Sequence, residues 1–153
     1  MNPIPRRAAL GLMIAAVAAC GANSRERRRS AQYSGNTPEM QQLVSHYANV
    51  YDMPESLIHR VIRRESGYNP TARNGSYYGL MQIDPRTART MGYAGPASGL
   101  LDAETNLIYA GKYLRGAWLV AQGSEDRAVM WYSKGYYYEA KRMGLLDEVG
   151  LRT

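Results

Sequence analysis

Helix start signals recur at short intervals from Thr37 onward, and they constrain the fold more than any other feature of the sequence. Thr37 stands before Pro38, a pairing typical of an N-cap followed by proline at the first helical position. The apolar residues that come next have helical spacing: Met40, Leu43, Val44 and Tyr47. No stretch alternates with period two for long enough to require a strand. The sequence therefore predicts a mostly α-helical fold.

Five further helices are predicted from start signals of the same kind. They begin near Pro54, Asp84, Asp102, Ser124 and Tyr136. The segments 67–80 and 92–101 are rich in Gly, Asn and Tyr and are typical of loops, with at most a short β element near residues 76–83. We expect one helical domain over residues 37–153, large enough for a hydrophobic core and a substrate groove.

The first 20 residues have the features of a signal peptide. Arg6 and Arg7 precede an apolar run over residues 8–19, which is too short to span a bilayer comfortably. The run ends in Val-Ala-Ala-Cys, which resembles a bacterial lipobox in which Cys20 is lipidated and becomes the mature N-terminus. The alternative is ordinary cleavage after the Ala-Val-Ala of residues 16–18. We expect an exported, periplasmic protein that a lipid anchor on Cys20 attaches to the outer membrane.

The positive charge of the chain is concentrated before the predicted domain. The net charge is +6, and six arginines with Glu26 carry five of these charges before Thr37. Residues 21–36 are small, polar and basic, so we predict a flexible tether there. The predicted domain itself is nearly neutral. That balance argues against a nucleic-acid partner, because such domains need a basic face on the folded part.

Glu65 is the candidate catalytic residue on the second predicted helix. It lies three residues after Ile62, four after Val61 and seven after Ile58, so it falls on the apolar stripe of that helix. A carboxyl group on an apolar face loses hydration, and its pKa rises toward neutrality. A general acid that works near neutral pH needs such a shift.

A series of short motifs accompanies Glu65 in a characteristic order. Residues 65–70 read Glu-Ser-Gly-Tyr-Asn-Pro, residues 79–83 read Gly-Leu-Met-Gln-Ile, and residues 131–135 read Trp-Tyr-Ser-Lys-Gly. Asn106, Gly111 and Tyr113-Leu114 lie between the last two. Together these motifs resemble the catalytic domain of the soluble lytic transglycosylases, which is related in fold to goose-type lysozyme. The resemblance covers about residues 50–140 and implies a lysozyme-like helical domain that acts on the glycan strands of peptidoglycan.

The resemblance implies that Glu65 is the single general acid and base. It would protonate the glycosidic oxygen between N-acetylmuramic acid and N-acetylglucosamine and then take the proton of the muramoyl C6 hydroxyl, which closes on C1. The product is a 1,6-anhydro end. Ordinary glycosidases need a second carboxylate, whereas here the substrate's own acetamido group and hydroxyl would replace it. Asp84 is the nearest other acid in sequence, and its place before Pro85 marks it as a helix cap.

The resemblance also implies substrate-binding roles for several other residues. Ser66 would orient Glu65 or a substrate group, and Met81 and Gln82 would line the saccharide groove. Tyr132 would reach toward the acid from the opposite side. Ser133 stands where the family has an asparagine, and Lys134 where it has a small residue. The chain departs from the family pattern at these two positions, and a serine offers fewer hydrogen-bonding groups to a substrate than an asparagine.

Two other functions remain open from the sequence. A lysozyme-type hydrolase could use the same fold with water as the attacking group. A non-catalytic wall-binding component of an envelope-spanning secretion machine is the second alternative, against which the intact Glu65-Ser66 pair argues. We expect no cofactor and no metal, because His46 and His59 are isolated and no ligand spacing is present.

Overall fold

The computed structural model of the protein describes residues 35–151. The predicted signal peptide, Cys20 and most of the predicted tether lie outside these residues. The described part contains six α-helices: α1 (Pro38–Val50), α2 (Glu55–Glu65), α3 (Pro85–Thr90), α4 (Ala103–Ala121), α5 (Glu125–Lys134) and α6 (Tyr137–Met143). Two short antiparallel strands, β1 (Arg73–Asn74) and β2 (Tyr77–Tyr78), lie between α2 and α3. The predicted mostly α fold with one small β element is confirmed.

Side-chain caps fix the start of four helices where the sequence predicted them. The oxygen of Thr37 accepts a hydrogen bond from the backbone N–H of Met40 at 3.2 Å. Three further cap residues each accept from the N–H of a residue in the first turn of their helix: Asp84, Asp102 and Ser124. Each cap satisfies a backbone donor that has no partner inside the helix.

The structure adds two elements in the predicted loops. A 3₁₀ helix, Ala97–Leu101, lies in the segment predicted as a loop. The partner of strand β2 is residues 73–74, upstream of the segment where pairing was expected. A two-residue turn, Gly75-Ser76, joins the strands, and Gly75 has a φ of +57°, as a tight hairpin turn with glycine at its first central position requires. Helix α5, which the sequence predicts to end at about Tyr132, continues to Lys134.

Helix α4 is the centre of the hydrophobic core. It packs against α1, α3, α5, α6 and the 3₁₀ helix. The apolar stripe of α4 is fully buried: Leu107, Ala110, Leu114, Ala117 and Ala121. The rings of Tyr51 and Tyr136 lie so close to Gly111 and Gly116 that a Cβ atom there would be within 3 Å of them. The core therefore depends on glycine at these points of α4.

The packing brings the end of α2, the segment 79–83 and helix α5 together on one side of the core. Residues 78–83 close on themselves, because the backbones of Tyr78 and Ile83 exchange two hydrogen bonds of 3.1 Å. Within residues 35–151, no helix is both long enough and apolar enough to cross a membrane.

Candidate active site

Glu65 is the last residue of helix α2 and lies at the edge of a groove. Its side chain is 23% exposed, although it follows the buried residues Val61 and Ile62 on the same face. Among the described residues, Arg64 is its only charged partner, with 3.6 Å between Nε of Arg64 and Oε1 of Glu65. The carboxyl group is therefore held against the core and is not tied up in strong hydrogen bonds.

The surroundings of Glu65 favour its protonated form. Partial burial raises the pKa of the carboxyl group above its ordinary value, and the charge of Arg64 only partly offsets this. The position at the C-terminal end of α2 acts in the same direction as burial, because the negative end of a helix dipole disfavours a carboxylate. The predicted direction of the shift is thus present in the structure, and its largest cause is the predicted loss of hydration.

A pocket of about 340 Å³ surrounds Glu65. Its walls come from the end of α2, the β hairpin, the segment 79–83 and helix α5. Besides Glu65, the lining residues are Arg64, Asn74, Tyr77, Gln82, Tyr132 and Ser133. The structure therefore brings together four of the predicted site residues, namely Glu65, Gln82, Tyr132 and Ser133, and adds three that the sequence did not single out.

Gln82 is held rigidly in the wall of the pocket. Its backbone adopts a φ of +49°, which is rare for a residue other than glycine. Its side-chain amide nitrogen donates to the carbonyl oxygens of Gly79 at 2.8 Å and Ala72 at 3.1 Å. The side-chain carbonyl oxygen is left to accept a hydrogen bond from a ligand.

Asn106 supports the segment that lines the groove, a role that was not predicted for it from the sequence. Although fully buried, it donates to the carbonyl oxygens of Tyr78 and Leu100, both at 2.8 Å, and accepts from the backbone N–H of Met81 at 2.9 Å. Gly79 lies directly on this side chain, since a Cβ atom there would be 2.3 Å from Nδ2 of Asn106. One sequence feature could have predicted this role. Asn106 lies four residues before Ala110 on the apolar stripe of α4, and a polar residue in such a place indicates a buried polar contact.

Tyr132 and Ser133 form the α5 side of the groove. The Tyr132 hydroxyl donates to the carbonyl oxygen of Met81 at 2.8 Å, so it connects α5 with the segment 79–83. Burial raises the pKa of Tyr132 well above its ordinary value, with a further contribution from the nearby charge of Glu65. The Ser133 hydroxyl is exposed and donates to the carbonyl oxygen of Val129 at 3.1 Å.

Ser66 and Met81 do not line the pocket. The Ser66 hydroxyl donates to the carbonyl oxygen of Leu80 at 2.7 Å, so it connects α2 with the segment 79–83 instead of contacting Glu65. The Met81 side chain has no exposed surface and lies in the hydrophobic core instead of on the groove wall. An apolar residue in a loop suits either place, and only the tertiary packing decides between them.

Asp84 lines an adjoining pocket of about 310 Å³, and its surroundings are the opposite of those of Glu65. It caps α3, as predicted, and accepts hydrogen bonds from the backbone N–H, Nε and Nη2 of Arg86 at 2.8–3.1 Å. The hydrogen bonds from the Arg86 side chain hold the pKa of Asp84 below its ordinary value. Asp84 is thus an ionised and fully engaged carboxylate. Among the described residues, Glu65 is the only carboxyl group that lines the pocket of about 340 Å³.

A third pocket, of about 570 Å³, lies along α2 and does not include Glu65. It contains His59, whose ring nitrogens contact Glu55 at 3.3 Å and the Tyr68 hydroxyl at 2.9 Å. Both nitrogens are therefore engaged. Over residues 35–151, no group of three or more His, Cys, Asp or Glu side chains is placed to hold a metal ion.

Comparison with known protein families shows the family of this chain. The family model of the transglycosylase SLT domain matches residues 42–143, which is more than half of the chain. The chain belongs to the transglycosylase SLT family. A comparison with solved structures finds no match. The match covers α1 to α6 apart from the first residues of α1, and it includes every residue of the Glu65 pocket.

Membership of the SLT family indicates the general function. It supports peptidoglycan-degrading activity of the lytic transglycosylase type and peptidoglycan as the bound substrate. The groove of this SLT domain is polar, half-open and lined by tyrosines, a glutamine and a serine around one carboxyl group. Such side chains have the hydrogen-bonding groups and the flat apolar faces that a sugar chain requires.

Proposed function

We propose that the protein is a lytic transglycosylase that cleaves the β-1,4 bond between N-acetylmuramic acid and N-acetylglucosamine, with Glu65 as the single general acid and base. The observation that carries this proposal is the state of Glu65. It is partly buried, its pKa is raised, and it lies in a groove whose other acid, Asp84, is neutralised by Arg86. A mechanism that needs one protonated carboxyl group and no second carboxylate fits this arrangement.

In the first step, protonated Glu65 gives its proton to the glycosidic oxygen as the bond from that oxygen to C1 breaks. The acetamido group of the muramoyl residue supports the positive charge that develops at C1. A raised pKa keeps a useful fraction of Glu65 protonated before the step. Among the described residues, no hydrogen bond retains this proton within the protein.

In the second step, the Glu65 carboxylate takes the proton of the muramoyl C6 hydroxyl, and that oxygen forms a bond with C1. The proton that left Glu65 is restored, and no water is consumed. Arg64, 3.6 Å away, stabilises the carboxylate between the two steps. The intramolecular hydroxyl has a high effective concentration, which favours it over water in a narrow groove.

Gln82, Tyr132 and Ser133 are proposed to position the sugar. Gln82 offers its side-chain carbonyl oxygen to an N–H donor such as that of an acetamido group. Tyr132 is fixed by its hydrogen bond to Met81 and lines the pocket of Glu65. Ser66 and Asn106 act indirectly, because each holds the backbone of the segment from Tyr78 to Met81 in place.

Export and lipid attachment at Cys20 stay predictions from the sequence, since the residues concerned lie outside the described part. We propose an exported, periplasmic enzyme. The lipid anchor would hold it on the outer membrane, close to its substrate. Incorporation of labelled fatty acid should be lost in Cys20→Ala. Labelling that persists in this variant would rule out the anchor.

The product of the reaction tests the proposal. Purified protein acting on peptidoglycan should release fragments with 1,6-anhydromuramoyl ends, which mass spectrometry identifies by their mass, one water less than that of reducing ends. Reducing ends would instead indicate a lysozyme-type hydrolase. No release of either would favour a non-catalytic wall-binding protein.

Glu65→Gln is the matching variant. It should lower the rate by about 10²–10⁴-fold, the usual contribution of a general acid or base. Glu39→Gln, an exposed glutamate in the first turn of α1, is the control and should keep full activity. Equal rates for the two variants would contradict the assignment of Glu65.

A further inference from the structure

The groove continues past the pocket of Glu65 into the adjoining pocket. The two pockets share four lining residues, so they form one continuous depression: Tyr77, Gln82, Tyr132 and Ser133. Glu65 lines only the first pocket, and Lys134 only the second. A strand that places its scissile bond at Glu65 therefore places a neighbouring part of the substrate at Lys134.

Lys134 is the uncompensated charge of this second section. The other two charged residues there, Asp84 and Arg86, neutralise each other through hydrogen bonds of 3.0 and 3.1 Å. Lys134 is exposed and has no hydrogen bond or ion pair within residues 35–151. The second section thus carries one net positive charge that faces the groove.

The alternative is a purely structural role for Lys134, because it is the last residue of α5. A cation there stabilises the negative end of the helix dipole. This role requires only a cation near the helix end, and it does not require the side chain to line the groove. It also predicts the same effect on every substrate.

We propose that Lys134 is a specificity-determining residue that binds a carboxylate of the peptide attached to the glycan strand. The inference rests on the proposed function, and it makes peptide-bearing strands the preferred substrate. Peptides are joined to the lactyl group of each muramoyl residue and carry free carboxylates. A bare lactyl carboxylate has the same chemistry, but it is attached directly to the sugar. Lys134 lies beyond the pocket of Glu65, so the peptide is the source that reaches it.

Binding measurements in the Glu65→Gln background test this inference without relying on cleavage. Three soluble glycan preparations serve as ligands: strands with peptides, the same strands with their carboxylates amidated, and strands stripped of peptide by an amidase. Adding Lys134→Ala should weaken binding of the first preparation about two- to fivefold, the scale of a partly exposed ion pair. Binding of the other two preparations should not change. Lys134→Arg should bind the first preparation as well as the parent does.

Lys141→Ala, an exposed lysine in the last turn of α6, is the matched control and should bind all three preparations as its parent does. Equal weakening for all three in Lys134→Ala, or none for the first, would overturn the inference. Weakening confined to stripped strands would assign Lys134 to the lactyl carboxylate and would also overturn it. The reaction product does not affect these outcomes, so a failure of the proposed function remains distinguishable.

Discussion

Two acidic residues line the groove, and their different surroundings give them opposite properties. Glu65 closes α2 at the negative end of the helix dipole and has one weak partner, Arg64. Asp84 opens α3 at the positive end and accepts three hydrogen bonds from Arg86. The pKa of Glu65 is raised and that of Asp84 is lowered. The comparison teaches that burial for Glu65 and the hydrogen bonds from Arg86 for Asp84 decide whether each carboxyl group can give a proton or only hold structure.

The largest expected effect comes from removing the Asn106 side chain, which holds the backbone of Tyr78 and Met81 beside the groove. Asn106→Ala leaves two carbonyl oxygens and the N–H of Met81 without their buried partners, at about 1–3 kcal/mol for each group. We expect the free energy of unfolding, measured with urea, to fall by about 3 kcal/mol or more. Asn49→Ala, at an exposed site on α1, should change it by less than about 0.5 kcal/mol. Similar values for both variants would show that the segment 79–83 does not depend on Asn106.

A smaller effect is expected when residue 65 keeps a carboxyl group on a shorter side chain. Glu65→Asp retracts the carboxyl group by one methylene, and a displacement of about 1 Å can cost a factor of about 100 in rate. Anhydromuramoyl ends released per minute give the measurement, with Glu39→Asp as the control. A rate within threefold of the wild type would mean that the precise position of the acid is unimportant.

The smallest effects concern stability against pH, and they should have opposite signs for the two acids. Because the pKa of Asp84 is lowered, its stabilising contribution is present above the ordinary pKa of aspartate and is lost as the pH falls through the lowered value. Asp84→Ala should therefore cost about 1 kcal/mol at neutral pH and less in acid. Because the pKa of Glu65 is raised, the wild type loses stability relative to Glu65→Gln as the pH rises through that value. Thermal unfolding over a pH series measures both, and parallel trends would contradict the comparison.

Much of the fold follows from local signals in the sequence. The caps Thr37, Asp84, Asp102 and Ser124 act over one turn of helix, so their sequence neighbours are enough to predict them. The 3₁₀ helix at residues 97–101 was missed because its sequence contains glycine and serine and gives no cap signal. Its position is fixed by the contact of Leu100 with Asn106, which lies on another helix.

The site was predictable to a lesser degree. Glu65 was predicted because the helical period places it on a buried face and because the motifs around it resemble those of the family. Ser66 and Met81 belong to the same motifs, but their side chains serve the backbone and the core, and only tertiary contacts reveal this. Arg64 lines the pocket although it is next to Glu65 in sequence, and neighbours in sequence point in different directions on a helix. Its contribution to the pocket depends on the groove that the hairpin and α5 build around it.

The pKa of the Glu65 side chain tests the central claim most directly. NMR of protein with ¹³C-labelled glutamate carboxyl groups, titrated with acid, reports each group separately, and Glu65→Gln identifies the signal of Glu65. The account predicts that the pKa of Glu65 lies above the ordinary value of a glutamate side chain. A pKa at or below that ordinary value would contradict it.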